Sequence, residues 1–110
     1  MEKVFVVKRV AEKLWATENA IDEAIGQASA LMADLVTARK EIKAGAALGE
    51  PAATKIIQAL SALSEARTAM LGAHEALEEV KLRIGVRTKM DQWTKPFQIK
   101  KDDVEQRRAV

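Results

Sequence analysis

The chain has 110 residues, of which 48% are hydrophobic and 31% charged, with a formal net charge of +2. It can therefore form one small domain, and its main part is too rich in apolar residues for intrinsic disorder. The absence of cysteine excludes disulfides, thiolate nucleophiles and cysteine-ligated metal centres. No stretch approaches the roughly 20 apolar residues that span a bilayer, and Lys8 and Arg9 interrupt the N-terminal apolar run. We expect a cytoplasmic protein without a transmembrane segment or signal peptide.

The first predicted element is a long amphipathic helix over about residues 5–44. Apolar and small residues recur from Val7 to Ile42 in alternating steps of three and four, which is the a/d pattern of a coiled coil. This first seam consists of Val7, Val10, Leu14, Thr17, Ile21, Ala24, Ala28, Leu31, Leu35, Ala38 and Ile42.

A turn and a second helix, over about residues 51–84, follow. Gly45 and Gly49 supply flexible or left-handed positions, and Pro51 suits the first turn of a helix because its missing N–H would have no partner there. The second seam consists of Ile56, Ala59, Leu63, Ala66, Met70, Ala73, Leu77, Val80 and Ile84. Gly85 stands where a left-handed residue would end this helix, with Val86 packing back on the last turn in a Schellman motif.

Residues 87–110 lack a helical period and contain both Trp93 and Pro96. We expect an extended or partly disordered C-terminal tail, with an optional short helix over residues 102–108. The chain is thus divided into a helical hairpin over residues 1–86 and a tail over residues 87–110.

The fold class predicted is all-α: a long antiparallel helical hairpin, with Leu35 opposite Leu63 and Leu14 opposite Ile84. A two-helix hairpin has no enclosed core, so a partner is needed to cover further apolar surface. Homodimerisation into a four-helix bundle is the simplest solution, and a tetramer is an alternative. The predicted interface lies on heptad positions e and b and consists of Ala11, Trp15, Ile25, Met32, Val36, Ile57, Leu60 and Leu71.

A monomeric alternative covers the same surface with the tail. Trp93, Phe97 and Ile99 have the size and polarity to fill it. Trp15 is the strongest candidate for an interface anchor, since tryptophan is enriched at such positions. In the monomer it would instead be shielded by its own tail.

Catalytic chemistry is not indicated by any residue cluster. His74 and Glu78 share a helix face, yet Leu71 occupies the position at which a helical-bundle metal site would require glutamate. Ser29, Ser61 and Ser64 lie in no nucleophile elbow, and the Gly45–Gly49 segment lacks the Gly-Lys-Ser/Thr ending of a phosphate loop. We therefore expect no enzyme activity, cofactor or metal.

The function predicted is that of a non-enzymatic oligomeric interaction protein: a scaffold, an adaptor or a small chaperone with a protein partner. In alanine content and amphipathicity, though in no motif, the chain is similar to the phasins, small helical proteins that coat bacterial storage granules. That similarity implies an alternative function as a coat on a granule or lipid surface. Weak nucleic-acid binding is a further alternative, disfavoured because the helices are of mixed charge. Its residues would be Arg87, Lys89, Lys95, Lys100, Lys101, Arg107 and Arg108.

Overall fold

The computed structural model describes residues 2–88, which form two long helices and no strand. Helix α1 spans Lys3–Glu41 and helix α2 spans Glu50–Arg83. The all-α prediction is confirmed for this part of the chain, with α1 beginning two residues earlier and ending three residues earlier than the sequence pattern suggests. The predictions for the tail, apart from Arg87 and Thr88, lie outside the described residues.

Two residues beyond the last helical residue of α1, Lys43 adopts a left-handed backbone conformation that terminates the helix. Lys43 has a φ of 57°, a conformation that is costly for a residue with a Cβ atom. The amide of Ala44 donates to the carbonyl of Arg39 at 3.0 Å, and that of Lys43 donates to Lys40 at 3.1 Å. These two bonds define a Schellman motif in which Lys43 takes the left-handed position, ahead of both Gly45 and Gly49.

Helix α2 begins directly after Gly49, whose φ of 87° requires a residue without a side chain. The carbonyl of Gly49 accepts the first helical hydrogen bond, from the amide of Ala53 at 2.9 Å. Pro51 lies in the first turn as predicted, where no carbonyl partner is missed.

Helix α2 ends in the predicted Schellman motif. Gly85 has a φ of 91°, the amide of Val86 donates to the carbonyl of Lys81 at 3.1 Å, and that of Gly85 donates to Leu82 at 3.0 Å. Val86 is buried, as expected of the apolar residue that packs back on such a helix end. This prediction is confirmed.

The chain divides into two compact units, each of which contains part of both helices. Unit 1 contains residues 2–16 and 74–88 of the described part, and unit 2 contains residues 17–73. The buried residues of the described part all lie in unit 1; they are Ala11, Leu14, Trp15, Lys81 and Val86.

Unit 2 is a helical hairpin closed by the connection 42–49. Its inward-facing side chains, such as Ile21, Leu35, Leu63 and Met70, are half-buried, and none of residues 17–73 is fully buried. A two-helix layer has one contact face per helix, so each apolar side chain is covered on one side only.

The contact face of α1 is rotated from the predicted seam. One half of that seam lies inside as predicted, since Val7, Leu14, Ile21, Ala28 and Leu35 are all buried or half-buried. The other half is wrong, apart from Ala24, because Val10, Thr17, Leu31 and Ala38 are exposed. The seam residue Ile42, beyond the end of α1, is also exposed. The residues one position later, Ala11, Glu18, Ile25, Met32 and Arg39, are buried or half-buried. The rotation thus brings Ile25 and Met32 into the contact and leaves Leu31 56% exposed.

Helix α2 shows the same change in part. Ala59, Val80 and Ile84 of the predicted seam are exposed, whereas Leu60 is half-buried and Lys81 is buried. The e positions of both helices therefore contribute to the intramolecular contact.

The predicted helix register is wrong by one heptad. Met70 lines a groove with Ile21 in unit 2, and Ile84 lines a groove with Val7 in unit 1, whereas the sequence analysis places Leu14 opposite Ile84. In the observed register the last turns of α1 face the first turn of α2, since Arg39 and Ala53 line a common groove. The predicted register would leave the first turn of α2 with no part of α1 opposite it.

Candidate interaction surface

The predicted interface residues fall into three groups in the structure. Ala11 and Trp15, in unit 1, are buried within the chain, and Trp15 is 0% exposed. Ile25, Met32, Val36 and Leu60, in unit 2, are half-buried. Ile57 and Leu71, also in unit 2, are 55% and 60% exposed. The interface itself stays a prediction, and its accessible part lies within unit 2.

Ile57 and Leu71 are two heptads apart on α2, so they lie on one face of that helix. Leu71 also lines a groove of about 130 Å³ together with Glu18, Ile21, Asp22, Arg67 and Met70. The two side chains lie about 21 Å apart along the helix axis, with Ser64 midway between them.

An exposed ion pair borders this groove. Arg67 Nη2 lies 3.2 Å from Asp22 Oδ1, and the two side chains are 59% and 52% exposed. The pair joins α1 to α2 within unit 2 and, with Glu18, makes half of the residues that line this groove charged. In water such a pair contributes about 0–1 kcal/mol.

A second groove, of about 180 Å³, lies in unit 1 and is mainly apolar. Its lining residues come from the first turns of α1 and the last turns of α2 and are Val6, Val7, Val10, Ala11, Leu77, Val80, Lys81 and Ile84. Val10, Val80 and Ile84 are exposed at its edge. All three residues belong to the predicted seams, where they were expected to be covered, so the sequence does not predict this groove.

Two lysine side chains bind backbone carbonyls at the end of α2. Lys3 Nζ donates to the carbonyl of Ile84 at 3.3 Å. Lys81 Nζ donates to the carbonyls of Val86 at 3.3 Å and Thr88 at 2.6 Å, and lies 3.0 Å from Glu78 Oε1. Sequence reasoning missed this arrangement. The one sequence signal for it is the position of Lys81. It lies four residues after the seam residue Leu77, so helical periodicity places it next to the seam.

The residues considered for chemistry lie in ordinary helical surroundings. His74 is half-buried in α2. The Ser29 hydroxyl donates to the carbonyl of Ile25 at 2.8 Å, one turn back in its own helix. Within residues 2–88, no group of three or more histidine, aspartate or glutamate residues is arranged to hold a metal ion.

No family model matches this chain, and no similar curated protein or solved structure was found. Neither helix of the described part is both long and apolar enough to cross a membrane.

Proposed function

We propose that this chain is a self-associating helical interaction protein without enzymatic activity, acting as a scaffold, an adaptor or a small chaperone. The observation that carries the proposal is that the apolar side chains of unit 2 are only partly buried. A helix pair of this length exposes apolar side chains along both helices and encloses none of them. A fully buried core residue normally touches six to twelve others. The helices of unit 2 leave every one of residues 17–73 short of full burial, so another molecule would supply the remaining contacts.

The exposed face of α2 offers such a molecule Ile57 and Leu71, and α1 and the connection offer Leu31, Ile42 and Leu48, which are 56%, 69% and 61% exposed. Full burial of an isoleucine or leucine stabilises by about 1.5–3 kcal/mol. Because Ile57 and Leu71 are 55% and 60% exposed, covering both would contribute about 2–3 kcal/mol per protomer. The half-buried Ile25, Met32, Val36 and Leu60 would add to this contribution.

A second copy of the chain is the partner we propose. In a two-fold symmetric dimer, both copies use the same patch, so each favourable contact occurs twice. Two helix pairs joined in this way form an antiparallel four-helix bundle. A tetramer would use the alanine-rich side of the helices as well.

The solution mass tests this proposal. Size-exclusion chromatography with light scattering should give twice the chain mass of 12.1 kDa, or four times for a tetramer. A monomer at all concentrations, with full helicity, would refute self-association.

A matched pair of variants tests the location of the interface. Ile57→Glu combined with Leu71→Glu should dissociate the oligomer, because four carboxylates would enter one apolar contact in the dimer. Both side chains are exposed in the single chain, so the helices themselves should tolerate the change. Leu82→Glu is the control, since Leu82 is 53% exposed in unit 1 and should leave the mass unchanged.

The two alternative functions give different outcomes in the same series. Adsorption of a monomer to apolar particles, abolished by the Ile57/Leu71 double variant and insensitive to salt, would favour the phasin-like coat. Steeply salt-dependent binding to nucleic acid would favour the basic residues from Arg87 onward, of which only Arg87 lies among the described residues.

A further inference from the structure

Lys81 is the only charged residue among the buried residues of the described part, at 2% exposure. A lysine ammonium has three N–H donors. Here three acceptors surround the nitrogen: the Glu78 carboxylate at 3.0 Å and the carbonyls of Val86 at 3.3 Å and Thr88 at 2.6 Å. Every donor therefore has a protein acceptor, so the site has no unused donor for an anionic ligand.

The three acceptors differ in where they lie along the chain. Glu78 is one turn back on α2, and its side chain is 33% exposed. Val86 and Thr88 lie beyond the end of the helix. The ammonium thus joins the last turn of α2 to the segment that follows it, across the left-handed residue Gly85.

A lysine is energetically unfavourable at this buried position. Burying an ammonium is unfavourable unless it is paired and hydrogen-bonded, and replacing a buried ion pair by apolar residues is often neutral or stabilising. Leu77 and Val80 beside it show that the groove accepts aliphatic side chains. Stability of the helix pair therefore does not account for the lysine, whereas its hold on the two carbonyls does.

We propose that Lys81 is a latch that docks residues 86–88 on unit 1 and that can open while the helices stay folded. The Schellman motif fixes the chain only as far as the Val86 amide, which donates to the carbonyl of Lys81 at 3.1 Å. Beyond that point, the ammonium holds the carbonyls of Val86 and Thr88. The latch fixes the position from which the chain continues after Thr88.

The experiment is limited proteolysis with an arginine-specific protease on the full-length protein, with release of fragment 1–87 measured by mass spectrometry. Arg87 is exposed and lies between the two latched carbonyls. In Lys81→Met, which keeps the length and volume of the side chain but removes all three donors, cleavage after Arg87 should accelerate at least about tenfold. This follows because cleavage tracks the population of the open segment and charge-assisted hydrogen bonds are the strong ones.

Cleavage after Arg39, near the end of α1, serves as an internal reference, and Lys55→Met is the matched control. Lys55 is exposed and its side chain bonds only Gln58, at 3.5 Å, among the contacts of the described residues, so its loss should leave both rates unchanged. Faster cleavage after Arg87 alone, with helicity retained, would establish the latch. Unchanged cleavage in a folded Lys81→Met protein would overturn it, because Val86 burial would then suffice. Equal acceleration at Arg39 and Arg87 would also overturn it, since Lys81 would then support the whole fold.

Discussion

The left-handed conformation of Lys43 gives the most direct test of how α1 ends. Its φ of 57° places a residue with a Cβ atom where glycine is normally found. Lys43→Gly removes the clash between Cβ and the following carbonyl. Lys43→Ala keeps that clash while removing the same charge from the helix end. The difference between the two variants therefore isolates the backbone term from the interaction of the lysine charge with the helix dipole.

The expected difference follows from two opposing costs. An L-residue in the left-handed region loses about 1–2 kcal/mol. Glycine loses about 0.5–1 kcal/mol more backbone entropy on folding than alanine does. The glycine variant should therefore be more stable than the alanine variant by about 0.5–1 kcal/mol. This is the reverse of the order in a helix interior, where alanine is favoured.

Thermal and urea unfolding at one fixed protein concentration measures this difference, since association makes the midpoint depend on concentration. At about 4–8 °C per kcal/mol for a domain of this size, Lys43→Gly should melt roughly 2–8 °C above Lys43→Ala. If the alanine variant is the more stable, position 43 is helical in solution, and the connection 42–49 starts later than the hydrogen bonds of Lys43 and Ala44 indicate.

Three further predictions concern side chains within the helices. Gly26→Ala should stabilise by about 0.5–1 kcal/mol in the same unfolding assay, since an added Cβ meets no atom within 4 Å; a loss of stability would mean that a second molecule packs against Gly26. Trp15→Ala should cost about 3–5 kcal/mol because Trp15 is 0% exposed, whereas Phe5→Ala, at 64% exposure, should change stability little; equal effects would contradict the burial of Trp15. A double-mutant cycle of Asp22→Asn and Arg67→Gln should give a coupling below about 1 kcal/mol that declines with salt, and a coupling insensitive to salt would show that the pair is covered when the protein associates.

The helices were predictable because their signals are local and repeated. The heptad spacing, Gly49 with Pro51, and Gly85 with Val86 each specify a helix or its end without knowledge of the tertiary structure. The predicted end of α1, near residue 44, is three residues late, because a left-handed lysine such as Lys43 is rare and gives no stop signal in the sequence.

The register and the contact face were not predictable to the same degree. A heptad pattern repeats every seven residues, so a shift of one heptad again aligns seam with seam. The choice between the predicted register and the shifted one depends on the connection 42–49, which places Arg39 and Ala53 at a common groove. The contact face depends on side-chain size, since alanine satisfies the apolar pattern while burying little area. Weighting the pattern by size would have favoured Ile25 over Ala24, but not Met32 over Leu31, which is of similar size.

The burial of Lys81 follows from tertiary structure alone. Lysine is almost never fully buried without a partner, so the sequence gives no reason to place Lys81 in the interior. Its partners are two carbonyls and one carboxylate, and carbonyls carry no sequence signal because every residue has one. The predicted interface stays a prediction, and of its residues only Ile57 and Leu71 are exposed in the structure.

The contrast between the two units bears on where a partner acts. Unit 1 encloses a tryptophan, a leucine and a latched lysine, whereas unit 2 encloses no side chain although its helices carry Ile25, Met32, Leu60 and Leu63 at inward positions. Large apolar side chains contribute their full transfer free energy only when they are covered on all sides. Unit 1 also leaves large apolar side chains exposed, such as Phe5 and Leu82, but unit 2 differs in having no fully buried side chain. A partner that covers Ile57 and Leu71 would add apolar burial to unit 2 without disturbing the buried residues of unit 1.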